Sequence, residues 1–599
     1  MEKMRPNRKL LSRLFFRLLP YQVLLLVITA GTGIVDSIFA SNFIGKAAMT
    51  AIGFYSPLNH FLYALSIMLV SGSQLLVGEA LGGNKTGSVR RFFSTDLICS
   101  FVIALLVSVL LIVGALTGAV SLFGLHPDEV SAINMYLVGQ AFGMPALLLG
   151  QQVFSFLSLE NQTGRTTAAS IVCFVSNGIL DALFVIVFHM GTLGLGLATA
   201  LSNFIFLSVM VVYYFGKRSE MRFSFRDFSV SAAKKIIKKG YPGAVSRFVE
   251  MIRNIVINML IIRFVGSIGL SAFAAIDSVM ALFWPVPFGM VAVSRMMMGI
   301  SLGQQDRQSL SDINRIVFTR GVVLQCILTA VIMALSKPLA LMFYNNTSDT
   351  AYMMTHMGLF VMPLCMPLSV ICLQYTSYGQ AVGKKFFSVF VAVMDGAVFV
   401  MACSFVLIPL MEMTGLYLSN ILNGVLCCIL ILIYLIVKNK RFPGNMEEAL
   451  VMDPGIGVAA DERMDLSLNE SDSVTMVSIS VMEFCKRKGI DDRRTFFSGL
   501  ATEEMARNVF EHGFVLDNKK HYINIHVVHT GDDIVIRITD NCPAFDPLSR
   551  AVILDRENTS DIPVHEHMVD NIGIRLVNRI LKEVRYQNLL GLNILTMKT

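Results

Sequence analysis

The sequence predicts an all-α polytopic membrane protein with twelve transmembrane helices in two six-helix repeats, followed by a soluble C-terminal α/β sandwich domain. The chain of 599 residues is 54% hydrophobic and 15% charged, and its mean hydropathy is +0.64. This composition excludes an ordinary soluble globular protein for most of the chain. Two further observations complete the prediction. Apolar runs recur up to about residue 440, and the composition becomes polar after Asn439.

Twelve apolar runs are each long enough to cross a bilayer, which takes about 20 residues of α-helix. They begin near residues 18, 54, 93, 131, 167, 192, 241, 270, 316, 353, 386 and 415. Connections rich in Lys and Arg alternate with connections poor in both, and the basic ones are residues 84–91, 160–167, 216–240, 303–315, 379–385 and 437–442. The positive-inside rule therefore predicts that both ends of the membrane part are cytosolic.

Three features of composition exclude other classes of protein or site. Residues 1–17 are basic but include no short apolar segment with a cleavage site, which predicts a retained cytosolic tail and not a signal peptide. The net charge of +7 lies largely in the short loops, so we exclude nucleic-acid binding. The ten cysteines form no CxxC pair and no Cys/His cluster, which predicts neither disulfides nor a metal site.

The two sets of six helices are related in sequence. Residues 43–58 align with residues 264–279, and without a gap GEALGG (78–83) falls on GISLGQ (299–304). Six helices return the chain to the same side, so the halves are parallel repeats with a central cavity between them. We therefore predict an N-lobe over 18–216, an interlobe linker over 217–240 and a C-lobe over 241–438.

Three polar residues stand out inside the predicted membrane spans. Asn177 and Asp181 are four residues apart in one apolar run and so lie on one helix face, and Asp36 lies in another run. An aspartate at a membrane helix centre costs roughly 2.5 to 3.5 kcal/mol, which indicates a function. In the repeat register Asp36 falls on Ile257 and Asp181 on Val400, so this group belongs to the first half alone. It could hold a proton or a small cation.

The stretches VDSIFASNFIG (35–45), LVGEALGGNK (76–85), SLENQTGRTTAASIVCFVSNGILDALF (158–184) and GTLGLGLATALSN (191–203) resemble the multidrug and toxic compound extrusion (MATE) transporters. The resemblance covers about residues 10–440. It implies that the N-lobe couples cation uptake to drug export through Asp36, Asn177, Asp181 and Thr199. Asn177 and Thr199 also have a structural interpretation, as residues that pack helices together.

A second pattern of the family places the site in the C-lobe. Glu250 matches its glutamate on span seven, but span ten, predicted over 353–378, has no acid. Glu250 lies between Arg247 and Arg253, so a salt-bridge role is an equal alternative. Asp277 is a further transport candidate.

The composition after Asn439 predicts a flexible linker over 439–465 and a soluble domain over 466–599. The predicted strands are residues 521–528, 533–540, 584–588 and 593–599. The predicted helices are residues 473–487, 493–512 and 573–582.

Three stretches of this domain resemble the GHKL (histidine-kinase-like) ATP-binding fold, closest to serine-kinase anti-sigma factors. They are LATEEMARNVFEHGF (500–514), DNCPAFDP (540–547) and NIGIRLVNRI (571–580). The resemblance implies Mg-ATP as cofactor, Glu504 as the base that activates a nucleophile, Asn508 as the Mg²⁺ ligand and Asp540 as the adenine acceptor. Gly573 would open a helix whose N–H groups bind phosphate. The sequence departs from the family where Cys542, Ala544 and Asn571 replace glycines.

Together these observations predict a bacterial inner-membrane antiporter, driven by H⁺ or Na⁺, that exports amphipathic organic cations. Its partners are the lipid bilayer, the exported cations and an anti-sigma-antagonist-like protein, and its fused cytosolic domain regulates transport. The alternative is a membrane-tethered serine kinase or partner-switch protein whose transporter half senses a ligand.

Overall fold

The computed structural model describes most of the chain. The described residues are 6–123, 126–215, 219, 221–344, 346–458, 460–468, 474–514, 521–543 and 576–599.

The first half of the membrane part consists of long helices joined by short turns. They are α1 (Pro6–Phe39), α2 (Lys46–Gly82), α3 (Thr86–Leu116), α4 (Pro127–Leu159), α5 (Thr163–Asp181) and α6 (Gly191–Val211). Short π-helical segments extend α1 over Ala40–Ile44 and α5 over Ala182–Val187. Residues 6–17 of the predicted N-terminal tail form the first turns of α1 and bury their leucines.

The second half is broken more often. Its helices are α7 (Val230–Phe264), α8 (Ser267–Met280), α9 (Pro285–Gly303), α10 (Arg307–Ile316), α11 (Val322–Ala334), α12 (Ser336–Leu341), α13 (Thr350–Val361), α14 (Met366–Val382), α15 (Lys385–Val393) and α16 (Phe399–Asn439). Helix α7 begins inside the predicted interlobe linker. Helix α9 begins at Pro285. Proline suits the start of a helix because it has no backbone N–H to donate within one.

Ten helices of the described chain are long and apolar enough to cross a membrane. One of them runs over Lys385–Asn439, and its backbone leaves helical geometry at Glu412, where φ is 50°. Helix α7 is long but carries several lysines and arginines, and α8 is short. The structure therefore agrees with a helical membrane fold, and the count of twelve spans stays a prediction.

The two lobes meet along helix α2. A Cβ on Gly82 would lie 2.2 Å from the Ile300 carbonyl oxygen, and one on Gly303 would lie 2.0 Å from that of Glu79. The backbones of α2 and α9 are therefore in contact, and only glycine fits at these two positions. These residues belong to the stretches 78–83 and 299–304 that the repeat aligns with each other. Equivalent stretches of two parallel repeats meet each other where the pseudo-two-fold axis passes, so this contact agrees with the predicted repeat.

The described residues of the C-terminal domain form a five-stranded antiparallel sheet with strand order β1-β2-β3-β5-β4. Its strands are β1 (Arg463–Leu468), β2 (Ile523–Thr530), β3 (Asp533–Asp540), β4 (Glu583–Leu589) and β5 (Leu592–Lys598). A second layer contains α18 (Val474–Arg487) and α19 (Asp492–Gly513), whose apolar residues share one core with the sheet. The sequence missed β1, since that strand begins inside the predicted linker.

The described residues of the segment 439–465, which was predicted as a flexible linker, are attached to the membrane part. They include α17 (Met446–Ala449). Arg307 forms an ion pair with Glu447 at 2.8 Å, and the Tyr375 hydroxyl donates to the Ala449 carbonyl oxygen at 3.0 Å. This segment therefore positions the domain against one end of the membrane part, called the domain side below.

Candidate functional site

The polar residues singled out in the first half converge from three helices. Asp36 comes from α1, Asn177 and Asp181 from α5, and Thr199 from α6. The Thr199 hydroxyl is 3.1 Å from Asp36 Oδ2, to which it can donate. Asp36 also interacts with Asp181 and Asn177. The structure thus brings together all four residues that the sequence predicted as one site.

These groups are buried and only partly satisfied. Asn177 and Asp181 are 0% exposed, and Asp36 is 7% exposed. Apart from contacts within this group, Oδ1 of Asp36, both carboxyl oxygens of Asp181 and both polar atoms of the Asn177 side chain have no hydrogen-bond partner among the described residues. Buried carboxyl groups without partners are costly unless a proton or a cation neutralises them. The arrangement can therefore hold a proton or a small cation.

Close packing of α4 on α6 brings a further residue to this cluster. A Cβ on Gly196 would lie 2.9 Å from the Tyr136 carbonyl oxygen, so only glycine allows this approach. Tyr136 lies within electrostatic range of Asp36, and its hydroxyl accepts a hydrogen bond from Gln140 at 3.0 Å. The sequence does not indicate that Tyr136 belongs to this site, since tyrosines are common in apolar runs.

The acid candidates of the second half have a different environment. Glu250 forms ion pairs with Arg247 at 2.9 Å and Arg253 at 3.5 Å, which is the salt-bridge alternative. Asp277 lies within electrostatic range of Arg253 and Glu250. Glu250 therefore has two basic partners, and Asp277 lies near one of the same two arginines.

A cavity that is partly open to solvent lies beside these residues in the C-lobe. Its lining combines Glu250 and Arg253 with the aromatic side chain of Trp284 and with Asp395, whose Oδ1 accepts from Asn423 at 3.1 Å. Aromatic and charged groups in one cavity suit an amphipathic ligand.

Three of the residues predicted to bind nucleotide lie on α19 and at the end of β3. Glu504 and Asn508 lie one turn apart on α19, and Asn508 Nδ2 donates to the Glu504 carbonyl oxygen at 2.9 Å. Asp540 ends β3 and is 4% exposed. Burial raises the pKa of Asp540, and hydrogen bonds from Asn593 at 2.8 Å and from the Cys542 N–H at 2.9 Å oppose that rise. Gly573, Ala544 and Asn571 lie outside the described residues.

Asp540 is linked to the membrane part by a chain of side-chain hydrogen bonds. Asn593 donates to Asp540 and accepts from Asn588 at 2.9 Å. Asn588 accepts from Asn161 at 3.2 Å, and Asn161 accepts from Arg17 at 3.1 Å. Asn161 and Arg17 belong to the membrane part. The sequence could not show this chain, because Asn161 and Asn588, which join the two parts, are 427 positions apart.

Both the membrane part and the C-terminal domain match known protein families. The family described as MatE matches residues 23–183, and the family described as histidine kinase-like ATPase domain matches residues 469–599. The chain carries a MATE domain fused to a histidine kinase-like ATPase domain.

Relatives of the MATE domain are distant in sequence. Multidrug export protein MepA of Staphylococcus saprophyticus is 21% identical over 438 residues, which cover 69% of this chain and 91% of MepA. An outward-facing MATE family transporter of the MOP superfamily gives a TM-score of 0.66 at 18% identity, covering 72% of this chain and 97% of that one. A mutant of the Vibrio cholerae MATE transporter VcmN gives 0.66 at 16% identity, covering 71% and 95%. The structural likenesses show the MATE fold.

The ATPase domain docks on the N-lobe of the MATE domain through the turn between β4 and β5. The Leu590 N–H donates to the Leu159 carbonyl oxygen at 3.1 Å. Leu589, Leu590 and Leu592 are buried in the apolar cluster of the membrane part and not in the core of their own domain. Arg585 of β4 also donates to the carbonyl oxygen of Asn84, which follows α2, at 3.0 Å.

The same domain also docks on the C-lobe. Arg537 of β3 donates to the Gln304 carbonyl oxygen at 2.5 Å. Desolvation lowers the pKa of His526, but Asp306 of the C-lobe and Asp465, whose Oδ1 is 2.5 Å from His526 Nδ1, outweigh it and raise that pKa above the ordinary value. The ATPase domain therefore binds both lobes at the end where α2 and α9 touch.

Proposed function

We propose that this protein is a secondary active multidrug efflux antiporter, coupled to H⁺ or Na⁺, that exports amphipathic organic cations under the control of a cytosolic nucleotide-binding domain. The observation that supports transport most directly is the buried group of Asp36, Asn177, Asp181 and Thr199, whose two carboxyl groups have hydrogen-bond partners only within the group among the described residues. A site with two acids, an amide and a hydroxyl has the ligands for Na⁺, and either acid can carry a proton.

In the proposed cycle an outward-open state takes up the coupling cation between Asp36 and Asp181. Neutralising the two carboxylates removes their repulsion and lets α1, α5 and α6 close on one another, which weakens drug binding. The lobes then part at the domain side, and the cation is released to the cytosol. The cation drives this change only by its different affinity for the two states, so the acids are better partnered in one of them.

The test uses the amide replacements Asp36→Asn and Asp181→Asn, which keep size and lose the titrating charge. We expect each variant to insert normally and to lose gradient-driven export from vesicles. Separate pH and Na⁺ gradients identify the coupling ion. Asp277→Asn and Glu250→Gln are the comparison variants. They should reduce export less than the N-lobe variants do, because neither acid belongs to the N-lobe group. Full export by both N-lobe variants would contradict this coupling site. If Glu250→Gln lost export while Asp181→Asn stayed active, the coupling site would lie in the C-lobe instead.

The control by nucleotide rests on the position of the ATPase domain. Inward opening requires the lobes to separate at the domain side, where this domain holds Leu159 of the N-lobe and Gln304 of the C-lobe at once. While both contacts last, they stabilise the outward-open state. One set of contacts must break in each transport cycle.

The hydrogen-bond chain from Asp540 gives nucleotide a way to act on these contacts. An adenine amino group that donates to Asp540 competes with Asn593 for the same carboxylate. A change at Asn593 alters its bond from Asn588, which in turn holds Asn161 of the N-lobe. We therefore expect Mg-ATP to weaken the docking of the β4–β5 turn and to speed transport.

The experiment compares three proteins in vesicles with and without Mg-ATP. Asp540→Ala should lose ATP binding, measured by calorimetry on the 460–599 fragment, together with the transport response. Asn588→Ala should keep ATP binding and lose the response. Truncation after Arg441 should keep gradient-driven transport and lose the response. Transport lost on truncation would contradict a regulatory role, and an unchanged response in Asn588→Ala would contradict the route through the asparagines.

The second function is a serine kinase or partner-switch activity of the same domain, acting on an anti-sigma-antagonist-like protein. It rests on Glu504, one turn before Asn508 on α19, in the position of the base that activates a serine hydroxyl. Transfer of labelled phosphate by the 460–599 fragment, lost in Glu504→Gln, would support it. Drug accumulation without ATP separates it from transport.

A further inference from the structure

Two thiols and a carboxyl group converge inside the C-lobe. Cys372 comes from α14, Asp395 from the π-helical segment Met394–Val398, and Cys427 from α16. The two sulfur atoms and a carboxyl oxygen of Asp395 all lie within 4.8 Å of one another. The thiol of Cys428 is within interaction range of Cys372 as well. The absence of a CxxC pair had predicted no metal site, but this group is assembled by tertiary packing from three helices.

The ligand set selects a class of ion. Thiolate sulfur favours the thiophilic metals, and a tetrahedral d¹⁰ cation such as Zn²⁺ accepts two thiolates and a carboxylate, with Zn–S distances of about 2.3 Å. Sulfur and oxygen atoms already within 4.8 Å need only small rotamer shifts to reach such a sphere. Hard ions such as Na⁺ or Mg²⁺ prefer all-oxygen sites and do not suit this group.

The charges around the group fit a divalent cation. Two thiolates and one carboxylate exceed the ion by one negative charge. Arg253 acts electrostatically on Asp395 and lines the same cavity, so its guanidinium can balance the excess. Without a metal the cysteines can stay neutral thiols, and binding then releases their protons.

Two features of Asp395 support a ligand role. Its carboxylate is oriented by Asn423, which donates to Oδ1 at 3.1 Å, as outer groups orient metal ligands elsewhere. The residue also lies in a π-helical segment, a feature frequent at functional sites. Asp395 and Asn423 line the C-lobe cavity, so an ion in that cavity can reach the carboxylate of the site.

We propose that Cys372, Cys427 and Asp395 form a binding site for a thiophilic divalent cation of the Zn²⁺ class, reached from the C-lobe cavity. The site is separate from the N-lobe acids and from the nucleotide residues. Binding there joins α14, the segment after α15, and α16, so it stiffens the C-lobe around the cavity.

The first test measures stoichiometric binding of Cd²⁺, a spectroscopic substitute for Zn²⁺, to the purified full-length protein under reducing conditions. Wild type should retain one Cd²⁺ per chain and show the ultraviolet thiolate-to-Cd²⁺ charge-transfer band. Cys372→Ser and Cys427→Ser should weaken binding at least tenfold and reduce the band. Asp395→Asn should weaken binding similarly while the band survives at saturating Cd²⁺. Cys326→Ser, which changes an exposed thiol, is the matched control and should bind as wild type does.

A second measurement needs no substitution and so does not depend on the folding of a variant. Bound Zn²⁺ should protect Cys372 and Cys427 from alkylation by maleimide in the folded wild type, read by mass spectrometry, and leave Cys326 reactive. The proposal is overturned if wild type retains no Cd²⁺ above the Cys372→Ser level, or if Zn²⁺ fails to change the alkylation of Cys372 and Cys427. In either case these thiols only fill space between helices.

Discussion

Removing the Leu590 side chain should loosen the ATPase domain from the MATE domain without unfolding either. Leu590 is 2% exposed and packs in the apolar cluster of the membrane part. Buried Leu→Ala changes cost about 2 to 5 kcal/mol, and we take the lower end because a docking surface can close over the gap. The loss falls on docking, since Leu590 contributes nothing to the core of its own domain. About 2 kcal/mol corresponds to a roughly 30-fold shift toward the undocked form.

Hydrogen exchange measures that shift directly. The Leu590 N–H is protected by the Leu159 carbonyl oxygen, so it exchanges only when the turn undocks. Leu590→Ala should speed exchange of peptides that contain residues 588–592 by about 30-fold, since exchange follows the open population. Met476→Ala on the exposed face of α18, at a residue 61% exposed, is the control and should change nothing there.

Two results would refute this reasoning. If exchange in β2 and β3 rises as much as in the turn, then Leu590 supports the domain core and not the docking. If exchange in the turn stays at the wild-type rate, the leucine contact carries little of the docking free energy.

Two further predictions concern pH. Hydrogen bonds from Lys582 and Lys598 lower the pKa of Asp533 to about 2, so the stability that Asp533 contributes is present above its ordinary pKa near 4 and is lost as the pH falls toward 2. Asp533→Asn should remove this loss in thermal unfolding of the 460–599 fragment, whereas Asp532→Asn should keep it. The pKa of His526 is raised by facing carboxylates, so its contribution is full below pH about 6.5 and is lost as the pH rises through the raised value. His526→Gln should flatten the stability of the full chain over that range, and an unchanged profile would contradict the charge pairing.

Local sequence was sufficient for the elements whose signal is local. Hydropathy indicated the long helices, because a bilayer demands apolar length from each segment separately. The strand predicted over 533–540 is β3 without any change of bounds, since alternation along a strand reports which face is buried. The pair Asn177 and Asp181 could be placed on one face from helical spacing alone.

The sequence also showed which acidic residues lie inside apolar segments. Acids in apolar runs are costly, so hydropathy alone marked Asp36 and Asp181 as candidates. Boundaries were less certain. The chain begins its first helix at Pro6 and its first strand at Arg463, inside segments that composition assigned to a tail and a linker.

Which distant groups meet depends on tertiary packing. Thr199 of α6 meets Asp36 of α1, and Gly196 of α6 lies against the backbone of α4, and both contacts depend on how separate helices pack. Cys372 meets Cys427 and Asp395 in the same way, across helices far apart in the chain. The docking of Leu590 on Leu159 joins two domains that each have their own sequence pattern. Hydropathy and periodicity describe how a residue relates to its neighbours along the chain, and contacts of this kind depend on packing between segments, which neither pattern records.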